Sequence, residues 1–173
     1  ASTLIYMMKK ILSKHYSVLA VEVDKRDFVY FNDKNMITAT SNEIGNVIVK
    51  YSNMDIILID VNSSVQAENL CNDVLCLVEP SIIKLNKLMM LDRNAFSKIK
   101  KEDKKLILNK SLLSSKDILE FEYEAKAKVY YNLPPLDDRE RNIHALSRFL
   151  LKLGFEVDID EEMSKKNKIL GLF

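Results

Sequence analysis

Three short apolar runs in this sequence end in groups able to hold a metal ion or a polar ligand. VLAVEV carries Glu22 and is followed by Asp24; IILI runs into Asp60, then Val61-Asn62; LIL is followed by Asn109-Lys110. In open α/β sheets, ligands bind in the crevice at the carboxyl ends of parallel strands, so these are the positions where such groups would meet. Four apolar residues ending in an acid is a pattern that holds Mg²⁺ directly or through water. A strand terminus with a solvated or helix-capping acid produces the same letters, so IILID by itself does not decide between them.

The elements that would position these groups follow from periodicity. Leu4, Ile5, Met8, Ile11 and Leu12 share one face of a helix over 3–14, with Ser2 as its N-cap and Lys9, Lys10 and Lys14 outside that face. Residues 17–24, 54–61, 73–78, 105–109 and 128–133 are short, continuous apolar runs and predict buried strands. A less regular region with Phe28, Tyr30 and Phe31 follows the first of these. Thr40 and Glu43 predict a capping box opening a helix to about Tyr51. Further helices are expected at 65–70, from Ser81 to about Lys98 through Ile82, Leu85, Met89 and Phe96, and over 115–126. Asp137 caps a last one ending near Leu153, buried through Ile143, Leu146, Leu150 and Leu153. Alternating strands and helices predict a three-layer, doubly wound α/β domain with a mainly parallel sheet over residues 1–155, and a tail over 156–173. The first helix lacks the preceding strand that a right-handed crossover requires, so either it packs differently or a first strand is missing.

Composition bounds the function. The 173 residues are 47% hydrophobic and carry a net charge of +1, without the basic excess of a nucleic-acid binder. Cys71 and Cys76 have no His near them and read as reduced core residues of a cytoplasmic protein. No apolar run approaches the roughly 20 residues of a membrane span, and no signal peptide is expected. There are three glycines, Gly45, Gly154 and Gly171, and none lies in a stretch that could wrap a phosphate.

Taken in order, STL before a helix, VLAVEVD, DIILID, NDVLCLVEPS, LILNK and YNLPPLDD resemble the MinD/ParA group of P-loop ATPases over about residues 1–153. Its members commonly read KTTL, VLLIDLD and YDYIIIDTPP at these places. The opening ASTL is most similar to the CpaE/TadZ proteins of pilus assembly, whose phosphate loop often reads GGVGASTL. The resemblance implies an ATP- and Mg²⁺-binding P-loop fold whose first strand and glycine loop would lie upstream of residue 1. It puts Ala1 at the Walker lysine, Ser2 at the Mg²⁺-binding hydroxyl and Asp60 at the Walker B acid. Glu22 and Asp24 match the D-x-D acids, the second orienting the attacking water. Asn109, Leu133, Pro134 and Pro135 match positions that frame the adenine. The departures are Glu22 for Asp, VNSS after Asp60, Lys25-Arg26 for Pro-Gln, and no lysine for the β- and γ-phosphates.

The remaining polar residues have simpler expectations. His15 and His144 lack acidic or nucleophilic sequence neighbours and read as surface or helix-end residues. Arg141, Arg148 and Lys152 predict a solvated helix face, and Met89-Met90 predict core. One of Tyr130 and Tyr131 is expected to pack inward. Residues 164–173, with Lys165, Lys166 and Lys168 before ILGLF, resemble the membrane-docking end of MinD-type proteins; packing back on the domain or disorder is the competing expectation. The resulting expectation is a degenerate MinD/ParA-like ATP-binding-fold domain, nearest CpaE/TadZ, a cytoplasmic localisation or assembly factor working through pilus- or secretion-system proteins. Homodimerisation and peripheral contact at the inner face of the membrane go with it. An active ATPase with its phosphate loop upstream, and an interaction module that has lost nucleotide, are the rivals.

Overall fold

The computed structural model describes residues 1–136 and 141–158; the proposed Asp137 cap and the 164–173 segment lie outside them. In chain order the elements are α1 (Ser2–Leu12), β1 (Val18–Val23), a 3₁₀ turn (Phe28–Phe31), β2 (Met36–Ala39), α2 (Ile44–Lys50), β3 (Ile56–Asp60) and α3 (Val65–Glu68). They continue with β4 (Leu75–Val78), α4 (Ile82–Leu91), α5 (Ala95–Lys101), β5 (Lys105–Leu108), α6 (Ser115–Ala125), β6 (Val129–Asn132) and α7 (Arg141–Lys152). Every strand pairing is parallel, which obliges a crossover between partners, and the helices provide it. β1 is buried at all six positions because both of its faces are covered.

The strands form two hydrogen-bonded sheets, ordered β2-β1-β3 and β4-β5-β6. Between the unpaired edges of β3 and β4 lies a cleft of about 560 Å³, lined by Leu4 and Met8 of α1, Ile57 and Ile59 of β3, and Leu75 and Leu77 of β4. One apolar cluster spans the interruption: Leu12, Val18, Ile107, Leu133, Leu146, Phe149 and Leu150 are buried together, with Leu58, Leu75 and Tyr131 against them. α1 and α7 therefore join the two half-sheets.

Several local expectations are corrected. β2 arises in the region read as irregular; it is a four-residue edge strand, too short to show a run of its own. Ser2 lies inside the first turn of α1, with Ala1 at the cap position, so its hydroxyl is free for other partners. At Thr40–Glu43 the Glu43 carboxylate does reach back to the Thr40 N–H at 3.0 Å, but the Thr40 hydroxyl donates to that carboxylate instead of capping α2. The long helix after Ser81 is two helices. Asp92 adopts an extended backbone and its carboxylate accepts from the Asn94 N–H and the Lys98 ammonium, which ends α4 and starts α5. Met90 is 85% exposed and α4 buries none of its residues, so Met89-Met90 are not core. In α7 Leu146 and Leu150 are buried as expected, Phe149 joins them, Leu153 is half-buried and Ile143 faces out. Cys71 and Cys76 are half-buried free thiols, and burial pushes both up from the ordinary thiol range. Lys152 is not simply solvated: it donates to the Tyr130 carbonyl at 2.6 Å and covers the Tyr130 ring, while Tyr131 packs on Phe149.

Lys9 leaves the polar face of α1 to bond Asp33 at 2.6 Å, pinning the helix to the turn before β2. Burial pushes the Asp33 carboxyl up, but the Lys9 hydrogen bond, the Asn35 N–H and the lysine charges outweigh it and hold it below the usual range. A depressed folded-state value means the stabilisation is complete above the unfolded value of about 4 and is lost as pH falls through the folded one. Thermal melts followed by circular dichroism should thus give an unfolding midpoint that drops below about pH 4, less steeply in Asp33→Asn. An equal acid slope in both proteins would remove this pair from the acid response.

Candidate functional site

Glu22 is the centre of a polar row that crosses the first half-sheet. On neighbouring parallel strands its register partners are Thr38 and Asp60. The Glu22 side chain is fully buried and accepts three hydrogen bonds: from the Asp27 N–H at 2.9 Å, the Phe28 N–H at 2.9 Å and the Thr38 hydroxyl at 2.8 Å. Its carboxylate is spent on fixing the 3₁₀ turn to the strands. The extra methylene of Glu over the expected Asp gives that reach.

The turn it fixes returns the chain over the end of β1. Asp24 has φ 53°, in the left-handed region, and so redirects the backbone. Lys25 then points across to β3. Its ammonium lies 2.9 Å from the Ser2 hydroxyl oxygen, 3.0 Å from Asp60 Oδ2 and 2.9 Å from Asp27 Oδ2, and the Ser2 hydroxyl itself donates to Asp27 at 2.8 Å. Asp60 is buried at the end of β3. Burial lowers the Lys25 affinity for its proton, but the hydrogen bonds and charges of Asp27 and Asp60 prevail and hold it above the usual lysine range. The Lys25 and Ser2 bonds hold Asp27 below the carboxylate range. Ser2 and Asp60, assigned together from sequence, do meet, and Lys25 is the residue that sequence reasoning missed. Its only signal was the departure at Lys25-Arg26; nothing in the letters shows the left-handed turn that aims it.

Asp24 itself is solvent-exposed and is held by the loop before α2, accepting from the Ser41 N–H at 3.1 Å and from the Ser41 hydroxyl. The Ser41 and Ser64 oxygens lie 2.7 Å apart, and Ser64 caps α3. Asn62 and Ser63 after β3, and Lys110 after β5, are also left-handed non-glycine residues. Asn32, Asp103 and Lys126, which precede strands, are left-handed too, so such residues mark both ends of the strands.

The four residues matched to the adenine site lie on the other half-sheet. Asn109 follows β5 and its N–H donates to the Val78 carbonyl; the Leu133 N–H donates to Leu108 and its carbonyl accepts from Ser111. The Leu133 side chain is buried in the core and its backbone is already paired, while Pro134 is half-buried and Pro135 exposed. Beside them Asn132 Oδ1 is buried with no hydrogen-bond partner among the described residues. His15, by contrast, pairs with Asp158 at the surface, 3.0 Å away. Among the described residues no cluster of three His, Cys, Asp or Glu could hold a metal, and no helix is long and apolar enough to cross a membrane.

No protein-family model matches the sequence, and neither does any curated protein. Among solved structures, the fold is similar to the crystal structure of a ParA family ATPase from Chlorobium tepidum TLS. The two share 16% sequence identity over 88% of this chain and 86% of that one, with a TM-score of 0.53. The α/β architecture with its parallel sheets is thus similar in fold to that ParA family ATPase.

Proposed function

We propose that the chain is a degenerate MinD/ParA-like ATP-binding-fold protein, of CpaE/TadZ type, that positions or assembles a pilus or secretion machine with little or no hydrolysis. The observation that carries this reading is the meeting of Ser2, Lys25 and Asp60 at the carboxyl edge of the sheet, on a ParA-like fold. Asp24, at the water-orienting position, is instead bonded to Ser41, which supports binding over turnover. Its partners on this reading are cytoplasmic secretion-system proteins and a second copy of the chain, with 164–173 touching the inner face of the membrane.

Calorimetric titration with ATP, paired with a phosphate-release assay, tests the reading. Saturable binding without turnover is expected. Steady turnover would establish the active ATPase instead, and no heat at any concentration would leave an interaction module that does not use nucleotide.

A further inference from the structure

The two residues matched to Mg²⁺ do not fit that ion as they stand. Magnesium demands a near-octahedral oxygen shell at roughly 2.0–2.1 Å. Here Ser2 Oγ and Asp60 Oδ2 are instead shared by the Lys25 ammonium at hydrogen-bonding distances of 2.9 and 3.0 Å. A lysine ammonium has three N–H donors, and Asp27 Oδ2 at 2.9 Å supplies the third acceptor. The ammonium is therefore fully satisfied.

Its position is fixed from both sides. Before it, Asp24 is tied to Ser41; after it, the Asp27 and Phe28 N–H groups are anchored on buried Glu22. The Lys25 side chain is 25% exposed, so most of its stem lies against protein. A cation entering between Ser2 and Asp60 would have to expel this side chain and leave its charge nearby.

We infer that Lys25 is the resident cation of this site: its ammonium stands between Ser2 and Asp60 where a divalent metal would sit, and closes the pair to Mg²⁺. The inference rests on the proposed nucleotide reading only for what the crevice is; the occupancy of the Ser2–Asp60 pair is independent of it. It makes any polyphosphate bound here a ligand taken without a metal at these two residues.

The probe is Mn²⁺ alone, titrated into the full ¹⁵N-labelled chain while paramagnetic broadening of the backbone amides is followed. In the wild type, signals around Ser2 and Asp60 should broaden no earlier than those beside other surface carboxylates. In Lys25→Met, Asp27 and Asp60 lose their counter-charge, and these signals should broaden first, at Mn²⁺ concentrations about tenfold lower. Lys25→Arg should behave as the wild type. Selective early broadening at Asp60 in the wild type, or identical titrations of wild type and Lys25→Met, would overturn the inference. Should Lys25→Met not fold, the wild type decides alone: a Lys25 ammonium signal unmoved by Mn²⁺ upholds it, and selective broadening at Asp60 sinks it. Failure of ATP to bind would end the nucleotide reading and leave this result standing.

Discussion

Replacing Glu22 with alanine should cost about 3 kcal/mol of folding stability, since each buried donor left without a partner costs about 1–3 kcal/mol. The substitution strands the buried Phe28 N–H, while the Asp27 N–H and the Thr38 hydroxyl, on exposed residues, lose a partner that water can replace in part. Removing a buried charge returns some of its desolvation cost, and for that reason the figure is less than the sum of three losses. Glu22→Gln keeps the shape but turns an amide NH₂ toward donors on at least one side, so it should fall between, at about 1–2 kcal/mol. Urea unfolding followed by fluorescence or circular dichroism measures both. A loss below about 1 kcal/mol for the alanine variant would mean that the turn finds other acceptors. Because the turn also aims Lys25, the alanine variant should lose the Lys25–Asp60 contact as well.

Phe149→Ala should be at least as damaging, at about 3–5 kcal/mol, the usual cost of emptying a buried aromatic site. Phe149 is fully buried and lies against Tyr131, with ring centroids 5.0 Å apart. It sits in the cluster that α1 and α7 share with strands of both half-sheets, so the cavity would open at the joint of the molecule. Against a typical total of about 5–15 kcal/mol, either variant should unfold at markedly lower denaturant. An unchanged midpoint for Phe149→Ala would show that α7 adds nothing to the cooperative unit.

Most of the framework was legible because it is written in burial. The runs LAVEV and IILID are strands as their composition predicts, and the α1 and α7 stripes face the sheets; but only β1 is buried throughout, while Ile56–Ile59 of β3 are half-buried at the open cleft. What failed was local and polar. β2 was missed because four edge residues carry no run, and the break at Asp92 because the apolar spacing continues from Leu85 to Phe96 across it. Met89 and Met90 misled because an apolar residue need not be inside. In the candidate site, the order of the motifs singles out Ser2 and Asp60, and both lie within hydrogen-bonding distance of the Lys25 ammonium. Lys25 was not visible, because its direction depends on a left-handed Asp24 and on a buried glutamate that anchors the following turn.

The cleft between β3 and β4 has a mechanical consequence. Among the described residues no ladder hydrogen bond ties one half-sheet to the other, and the two are joined by side-chain packing on α1 and α7. Packed surfaces can slide in small steps where a hydrogen-bonded ladder cannot. Lys25 and Asp60 belong to one half-sheet, Asn109, Asn132 and Pro134 to the other, and Ser2 to the joining helix α1. A ligand long enough to touch both groups would bridge two half-sheets that no ladder hydrogen bond joins among the described residues.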